Sequence, residues 1–388
     1  MNILVVCHYG LYRDFTSSFV HNQGKAIAAL GHRVRVIVPI AVGKQDWDGK
    51  RFSAPLQWRK VDGVELCLLR HFSLSNFGKR RWNLSNALIA VRSQIDKITK
   101  DFSPDIIHAH TLGFDSEIGA WLKNRLHAPL VVTTHGSDTF KPFANGRRPA
   151  LKQFAQQSDH LICVSTLLKK RIETCGTTVP ISVILNGFQV QNITLNPNKL
   201  PLSLVQVGHL TAQKKVDITI QAFAKLSQKY QNATLDIIGS GGKQVRFQTL
   251  CKELGISKTV HFYGLLPNAE TLSKMASAHF FVMPSVNEGF GIVYLEAMAS
   301  GCITIGTEGE GIADVITSGV NGFLVPPDNP KAIVRIIEWC LDHPKEAAAI
   351  AKQGQADAME LTWEKNASEY THLFERIVLQ WKLDCNKN

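Results

Sequence analysis

Short apolar runs alternate with stretches of helical period along the whole chain. Residues 3–7 are unbroken Ile-Leu-Val-Val-Cys, the pattern of a strand buried on both faces. Residues 19–30 carry apolar positions at helical spacing and stop at Gly31, a residue suited to the left-handed position that closes a helix. Further strands are predicted at 34–38, 104–110, 130–134, 160–165 and 183–185. A second series predicts strands at 203–207, 234–238, 260–263, 280–283, 303–307 and 323–325, with a helix at 216–229 after the first of them. Strands alternating with helices in this way predict parallel sheets wound by crossover helices.

Polar residues and prolines from Gln191 to Pro201 interrupt the pattern. They divide the chain into two Rossmann-like domains, expected at 1–190 and 200–362 with a linker near 188–202. A length of 388 residues, 45% of them hydrophobic and 19% charged, supplies two cores. The fold class is therefore α/β, two doubly wound domains, with ligands expected in the cleft between them at the carboxyl ends of the strands. No internal repeat or low-complexity tract appears.

Eight scattered cysteines without a C-x-x-C pair fit a reduced, cytoplasmic chain better than a disulfide or zinc framework. The first residues read as a buried strand rather than a signal peptide, and no apolar run is long enough to cross a bilayer. The net charge of +11 is lopsided: residues 1–200 carry 26 Lys and Arg against 13 Asp and Glu, and residues 201–388 carry 17 against 19. A basic half can attract nucleic acid, an anionic membrane or an acidic substrate. Nucleic acid is the weakest of these, because no helix-turn-helix, zinc finger or RNA-binding signature accompanies the charge. Basic clusters at Lys79-Arg80-Arg81-Trp82, Arg147-Arg148 and Lys169-Lys170-Arg171 are candidates for docking an acceptor or a membrane, or are solvated helix faces.

The most informative run is Asn287-Glu288-Gly289-Phe290-Gly291-Ile292-Val293-Tyr294-Leu295-Glu296. It reads as a glycine-rich loop feeding a helix that Gly301 closes, with Glu288 just before the helix and Glu296 inside it. Amides of Gly289, Phe290 and Gly291 at a helix N-terminus would stabilise a diphosphate. One carboxylate is left for ribose hydroxyls and the other for a sugar. Upstream, Gly208-His209-Leu210-Thr211-Ala212-Gln213-Lys214 follows a strand and opens a helix, a basic loop that brings a cation to a strand end. Gly239-Ser240-Gly241-Gly242-Lys243 lacks phosphate-loop spacing and reads as a tight turn after a strand. His108, His110 and His135 could suggest a metal cluster, but no carboxylate signature supports one. The first strand leads to His8-Tyr9-Gly10 rather than G-x-G-x-x-G, which disfavours a nicotinamide enzyme.

Taken together, these motifs resemble the retaining glycosyltransferases of family 4, which have the GT-B fold. The resemblance covers about residues 1–330. It implies that Glu288 faces the donor sugar, Glu296 holds the ribose and Lys214 binds the diphosphate, with Gly208, His209, Gly239, Phe290, Gly291 and Ile292 around the donor. His135, in a His-Gly-x-Asp segment, would reach toward the sugar from the other domain. The strand at 260–263 would flank the base, and the 363–383 helix would cross back onto the first domain. Three departures stand out. His209 replaces a common Arg, Lys215 replaces Gly, and Ser17-Ser18 stand where a Gly-Gly pair is usual. Glu308-Gly309-Glu310-Gly311-Ile312 fits a variant found in teichuronic-acid and exopolysaccharide-type transferases.

The resemblance implies a metal-independent hexosyltransferase with a nucleoside-diphosphate sugar, a UDP-sugar by family frequency, as co-substrate and no other cofactor. The acceptor would be a glycan or polyprenyl-linked molecule, with peripheral contact to an anionic inner-leaflet membrane. Two other classes stay open: a sugar-nucleotide epimerase on the same scaffold, which would need no acceptor, and a non-catalytic glycan- or membrane-binding protein.

Overall fold

A computed structural model describes residues 1–8, 19–42, 58–72, 80–189, 199 and 202–386. The chain divides into two compact units, Met1–Gly187 with Trp363–Asn388, and Phe188–Thr362.

The first unit is built on an eight-stranded sheet in the order β3-β4-β2-β1-β5-β6-β7-β8. Its strands are β1 (Asn2–Val6), β2 (Arg33–Val42), β3 (Trp58–Val61), β4 (Val64–Phe72), β5 (Ile106–Ala109), β6 (Leu130–Thr134), β7 (His160–Cys163) and β8 (Ile181–Val183). All pairings are parallel except β3 with β4, a hairpin turned at Asp62-Gly63, both with positive φ. An Asp-Gly pair between strands is a strong hairpin signal; the pattern reading passed over it and missed both strands. The predicted strand at 160–165 ends two residues early because Ser165 caps helix α6 (Thr166–Glu173), its hydroxyl accepting from the Leu168 amide at 3.3 Å. The strand predicted at 183–185 lies instead at Ile181–Val183.

The long C-terminal helix, Trp363–Cys385, belongs to this first unit. It packs by Tyr370 and Phe374, both fully buried, against the ring of His108 at centroid distances of 5.5 and 5.3 Å. The Tyr370 hydroxyl lies 3.2 Å from Thr133 Oγ1 on β6, and Asn366 Nδ2 donates to the Leu185 carbonyl at 2.7 Å.

The second unit holds a six-stranded, fully parallel sheet, β11-β10-β9-β12-β13-β14. The strands are β9 (Ser203–Val207), β10 (Thr234–Ile238), β11 (Val260–Gly264), β12 (Phe280–Val282), β13 (Ile303–Thr307) and β14 (Phe323–Val325). The apolar side chains of β10, β12 and β13 are almost wholly buried, as expected of parallel strands covered on both faces, whereas β11 at the sheet edge leaves Tyr263 exposed. The unit starts at Phe188, inside the expected linker. That residue is 1% exposed and its amide donates to the Leu361 carbonyl at 3.0 Å.

Candidate active site

In the second unit, four loops at the carboxyl ends of β9, β10, β12 and β13 carry most of the predicted residues. The loop after β9 begins at Gly208 (φ 151°) and passes through one 3₁₀ turn, Ala212–Lys214, into helix α7 (Val216–Lys229). It packs on the loop after β10. A Cβ at Gly239 would lie 2.0 Å from the Gly208 carbonyl oxygen, and the Leu210 amide donates to the Ser240 carbonyl at 3.0 Å. Only glycine permits that approach.

The loop after β12 carries Glu288 and feeds helix α10 (Ile292–Ala299), whose N-cap is Gly291 in the left-handed region. The Val286 amide donates to the Gln213 carbonyl at 2.9 Å, and Gln213 Nε2 donates to the Asn287 carbonyl at 2.6 Å. The two loops are thereby sewn together. Lys214 Nζ donates directly to the Glu288 carboxylate, and the two side chains are only 18% and 14% exposed. Sequence spacing brings no such pair together. From the other side, Glu310 Oε2 accepts the Glu288 amide at 2.8 Å and the Gly311 amide donates to the Glu288 carbonyl at 3.2 Å.

Phe290 is 2% exposed, so its ring anchors the loop in the core and leaves only its backbone for a ligand. Glu296 lies inside α10, and its carboxylate accepts from Asn268 Nδ2 at 3.3 Å. Burial raises its pKa, with the Asn268 bond acting in the opposite direction. The His209 side chain is exposed. A separate cleft of about 560 Å³ lies along β10, β11 and helix α9 (Asn268–Ser277), lined by Asp236, His261, Tyr263, Glu270 and Lys274 among others. It includes neither Lys214 nor Glu288, and its own polar groups bond one another: Lys274 donates to Tyr263 at 2.7 Å and to Asp236 at 3.3 Å.

In the first unit, His135 stands just past β6 and before helix α4 (Ser137–Ala144). Its ring stacks on His110 (12° between planes), with Nε2 at 3.2 Å from His110 Nδ1, and lies 4.4 Å from the Phe19 ring. Burial pushes His108 and His135 down to about 3 and His110 well below its usual value, so all three imidazoles are neutral near pH 7. Asp138 Oδ1 accepts the His135 and Gly136 amides at 3.2 and 2.9 Å, and Oδ2 accepts the Leu112 amide at 3.0 Å. Burial outweighs these bonds and raises its pKa to about 6. Among the described residues no cluster of three or more His, Cys, Asp or Glu is arranged to hold a metal.

Sequence reading missed a histidine–carboxylate contact in this unit. His8 Nδ1 lies 2.8 Å from Oδ1 of the fully buried Asp115, whose Oδ2 accepts from Thr111 at 2.9 Å. The partners are 107 residues apart, beyond any local signal. Arg147 and Arg148 are exposed, the latter 4.9 Å from the Phe143 ring. Lys79, the side chains of Arg80, Arg81 and Trp82, and the Ser17-Ser18 segment lie outside the described residues.

Both units match family models. Residues 16–192 match "Glycosyltransferase Family 4" and residues 191–357 match "Glycosyl transferases group 1". The two matches meet end to end across most of the chain, and the chain belongs to the group 1, family 4 glycosyltransferases. It is an enzyme of the glycosyltransferase class with a GT-B fold. An uncharacterised glycosyltransferase of Methanocaldococcus jannaschii is 29% identical over 275 residues, covering 70% of this chain and 76% of that protein. A putative colanic acid biosynthesis glycosyltransferase, WcaL of Salmonella typhimurium, is 23% identical and covers 93% of this chain and 97% of its own. Among solved structures, sucrose-phosphate synthase from Thermosynechococcus elongatus superposes with a TM-score of 0.81 at 19% identity, covering 97% of this chain and 99% of that one. HepE of Anabaena, solved with UDP and glucose, gives 0.73 at 19% identity, covering 97% and 100%.

Proposed function

We propose that this glycosyltransferase moves a hexose, with retention of anomeric configuration and without a metal, from a UDP-sugar to a glycan or polyprenyl-linked acceptor during assembly of a cell-surface polysaccharide or glycolipid. The observation that carries the reading is the Lys214–Glu288 pair, a largely buried cation and carboxylate at the strand ends beside a glycine-rich helix entrance. The solved complexes of HepE with UDP and glucose, and the colanic acid assignment of WcaL, favour a UDP-sugar donor and a polysaccharide product.

In this reading the second unit binds the donor and the first takes the acceptor. Lys214 leaves Glu288 for the diphosphate and stabilises the charge that develops as the glycosidic bond breaks. Glu288 then accepts hydrogen bonds from the sugar, and Glu296 accepts them from the ribose. Amides of Gly289–Gly291 meet phosphate or sugar at the start of α10. His135, neutral at physiological pH, donates one hydrogen bond to a substrate hydroxyl. The acceptor attacks from the leaving-group side and its proton passes to the phosphate, so no side chain need form a covalent bond. No described helix is long and apolar enough to cross a membrane, and contact with an anionic surface falls to the basic first unit.

The test is nucleoside-diphosphate release from a panel of UDP- and GDP-sugars, with and without a polyprenyl-linked acceptor extract. Release from one donor, stimulated by acceptor and lost in Lys214→Ala, is the expected result. No release and no binding of UDP or GDP would overturn the reading.

A further inference from the structure

We propose that Glu310 is a positioning residue for the transfer reaction, fixing the main chain of Glu288 while the Glu288 side chain exchanges partners; this rests on the donor-site reading above. Both main-chain polar groups of Glu288 are taken by the segment after β13. Its N–H donates to Glu310 Oε2 at 2.8 Å, and its carbonyl accepts from the Gly311 N–H at 3.2 Å. The approach is close enough to exclude any side chain at 311, where a Cβ would meet the Gly289 carbonyl oxygen at 2.2 Å and Phe290 Cα at 2.7 Å. On the opposite side Gln213 holds the backbone of Val286 and Asn287.

The clamp has a particular chemical use. Asn287 sits at φ 55° and Gly291 at φ 84°, so the loop leaves ordinary extended or helical geometry at both ends. Such a loop keeps one shape only if its surroundings over-determine it. Glu288 must also give up Lys214 when a diphosphate arrives, which removes a side-chain bond now fixing its carboxylate. The Glu310–Gly311 pair keeps the backbone, and with it the 289–291 amides, in place through that exchange. Glu310 acts through a hydrogen-bond acceptor, so the neutral amide of glutamine can replace it. Aspartate is one methylene short and cannot reach.

The experiment compares Glu310→Ala, Glu310→Gln and Glu310→Asp with wild type, reading kcat and KM for UDP-sugar turnover, UDP affinity by calorimetry, and melting temperature. Loss of about an ångström of positioning lowers turnover by about 10²-fold. Glu310→Ala and Glu310→Asp are expected to lose about that factor in kcat with a much smaller loss of UDP affinity, and Glu310→Gln to keep most of the rate. If Glu310→Ala fails to fold, the other two variants decide. Equal loss in Glu310→Gln and Glu310→Asp, or no loss in Glu310→Asp, overturns the positioning role while wild-type turnover leaves the donor-site reading standing. A wild-type protein that turns over no nucleotide sugar overturns both.

Discussion

The Lys214 ammonium donates to the Glu288 carboxylate across 74 residues of chain, so the cation assigned to the diphosphate and the acid assigned to the sugar neutralise each other before any ligand arrives. On the proposed roles, a diphosphate competes with a carboxylate for Lys214. Glu288→Gln removes that competitor. UDP alone should bind the variant more tightly by about 1 kcal/mol, the scale of one net hydrogen bond, while turnover falls because the sugar loses its acceptor. Lys214→Ala should lose both UDP affinity and about 10²–10³-fold in turnover. Calorimetry with UDP beside a release assay separates the two, and unchanged UDP affinity in Glu288→Gln would show that the pair does not gate the site.

Glu296 combines a stability cost with the ribose-binding role proposed for it. Its carboxyl is raised above the ordinary carboxylate range by burial. The native state then holds a proton that the unfolded chain has already released, so stability falls as pH climbs from the unfolded toward the folded value. Glu296→Gln removes this penalty. The variant should melt at a higher temperature than wild type at pH 7 and lose that advantage near pH 4, while its affinity for UDP drops. A variant that binds UDP normally would sink the ribose assignment, whatever its melting curve.

Legibility followed the range of the interactions. The strands Leu130–Thr134, Ser203–Val207, Thr234–Ile238, Ile303–Thr307 and Phe323–Val325 and the helix Val216–Lys229 fall where apolar runs and period placed them, because burial on both faces writes itself into consecutive residues. The β3–β4 hairpin was passed over although Asp62-Gly63 marks it, since β3 buries little and lacks an apolar run. The loops after β9, β10, β12 and β13 were readable as motifs. Their pairings were not: Lys214 with Glu288, Glu310 with the Glu288 amide and His8 with Asp115 are each set by strand order, which brings distant loops to one edge of a sheet.

Acid should weaken the first unit before the second. His108, His110 and His135 are neutral when folded and have ordinary values when unfolded, so the unfolded state binds more protons below about pH 6.5. With His108 and His135 held at about 3, stability falls as pH drops through that window. Asp138, raised to about 6, opposes this, because it takes up a proton more readily when folded. Three imidazoles against one carboxyl leave a net loss, each group contributing up to about 1.4 kcal/mol per pH unit. Hydrogen exchange should show β6 and the Trp363–Cys385 helix losing protection between pH 7 and pH 5. His110→Gln should have a shallower pH slope; an identical slope would place the acid sensitivity elsewhere.

Lys215 occupies the left-handed region (φ 49°, ψ 42°) as the N-cap of α7, at the position where the resemblance leads one to expect glycine. A side chain there costs about 1–2 kcal/mol. Its ammonium pairs with Asp328 Oδ1 at 2.6 Å, a half-exposed contact that offsets 0–1 kcal/mol of this, roughly. Glycine would relieve the strain but give up the ion pair and about 0.5–1 kcal/mol of chain entropy. Lys215→Gly should therefore be within about 1 kcal/mol of wild type, with turnover retained, since the lysine points to Asp328 rather than to Glu288. Lys215→Val, β-branched and poorly suited to this conformation, should destabilise by about 1–2 kcal/mol more than Lys215→Gly. Denaturant titration of the two variants checks the sign, and a valine variant as stable as the glycine one would mean that the left-handed turn at the start of α7 does not form.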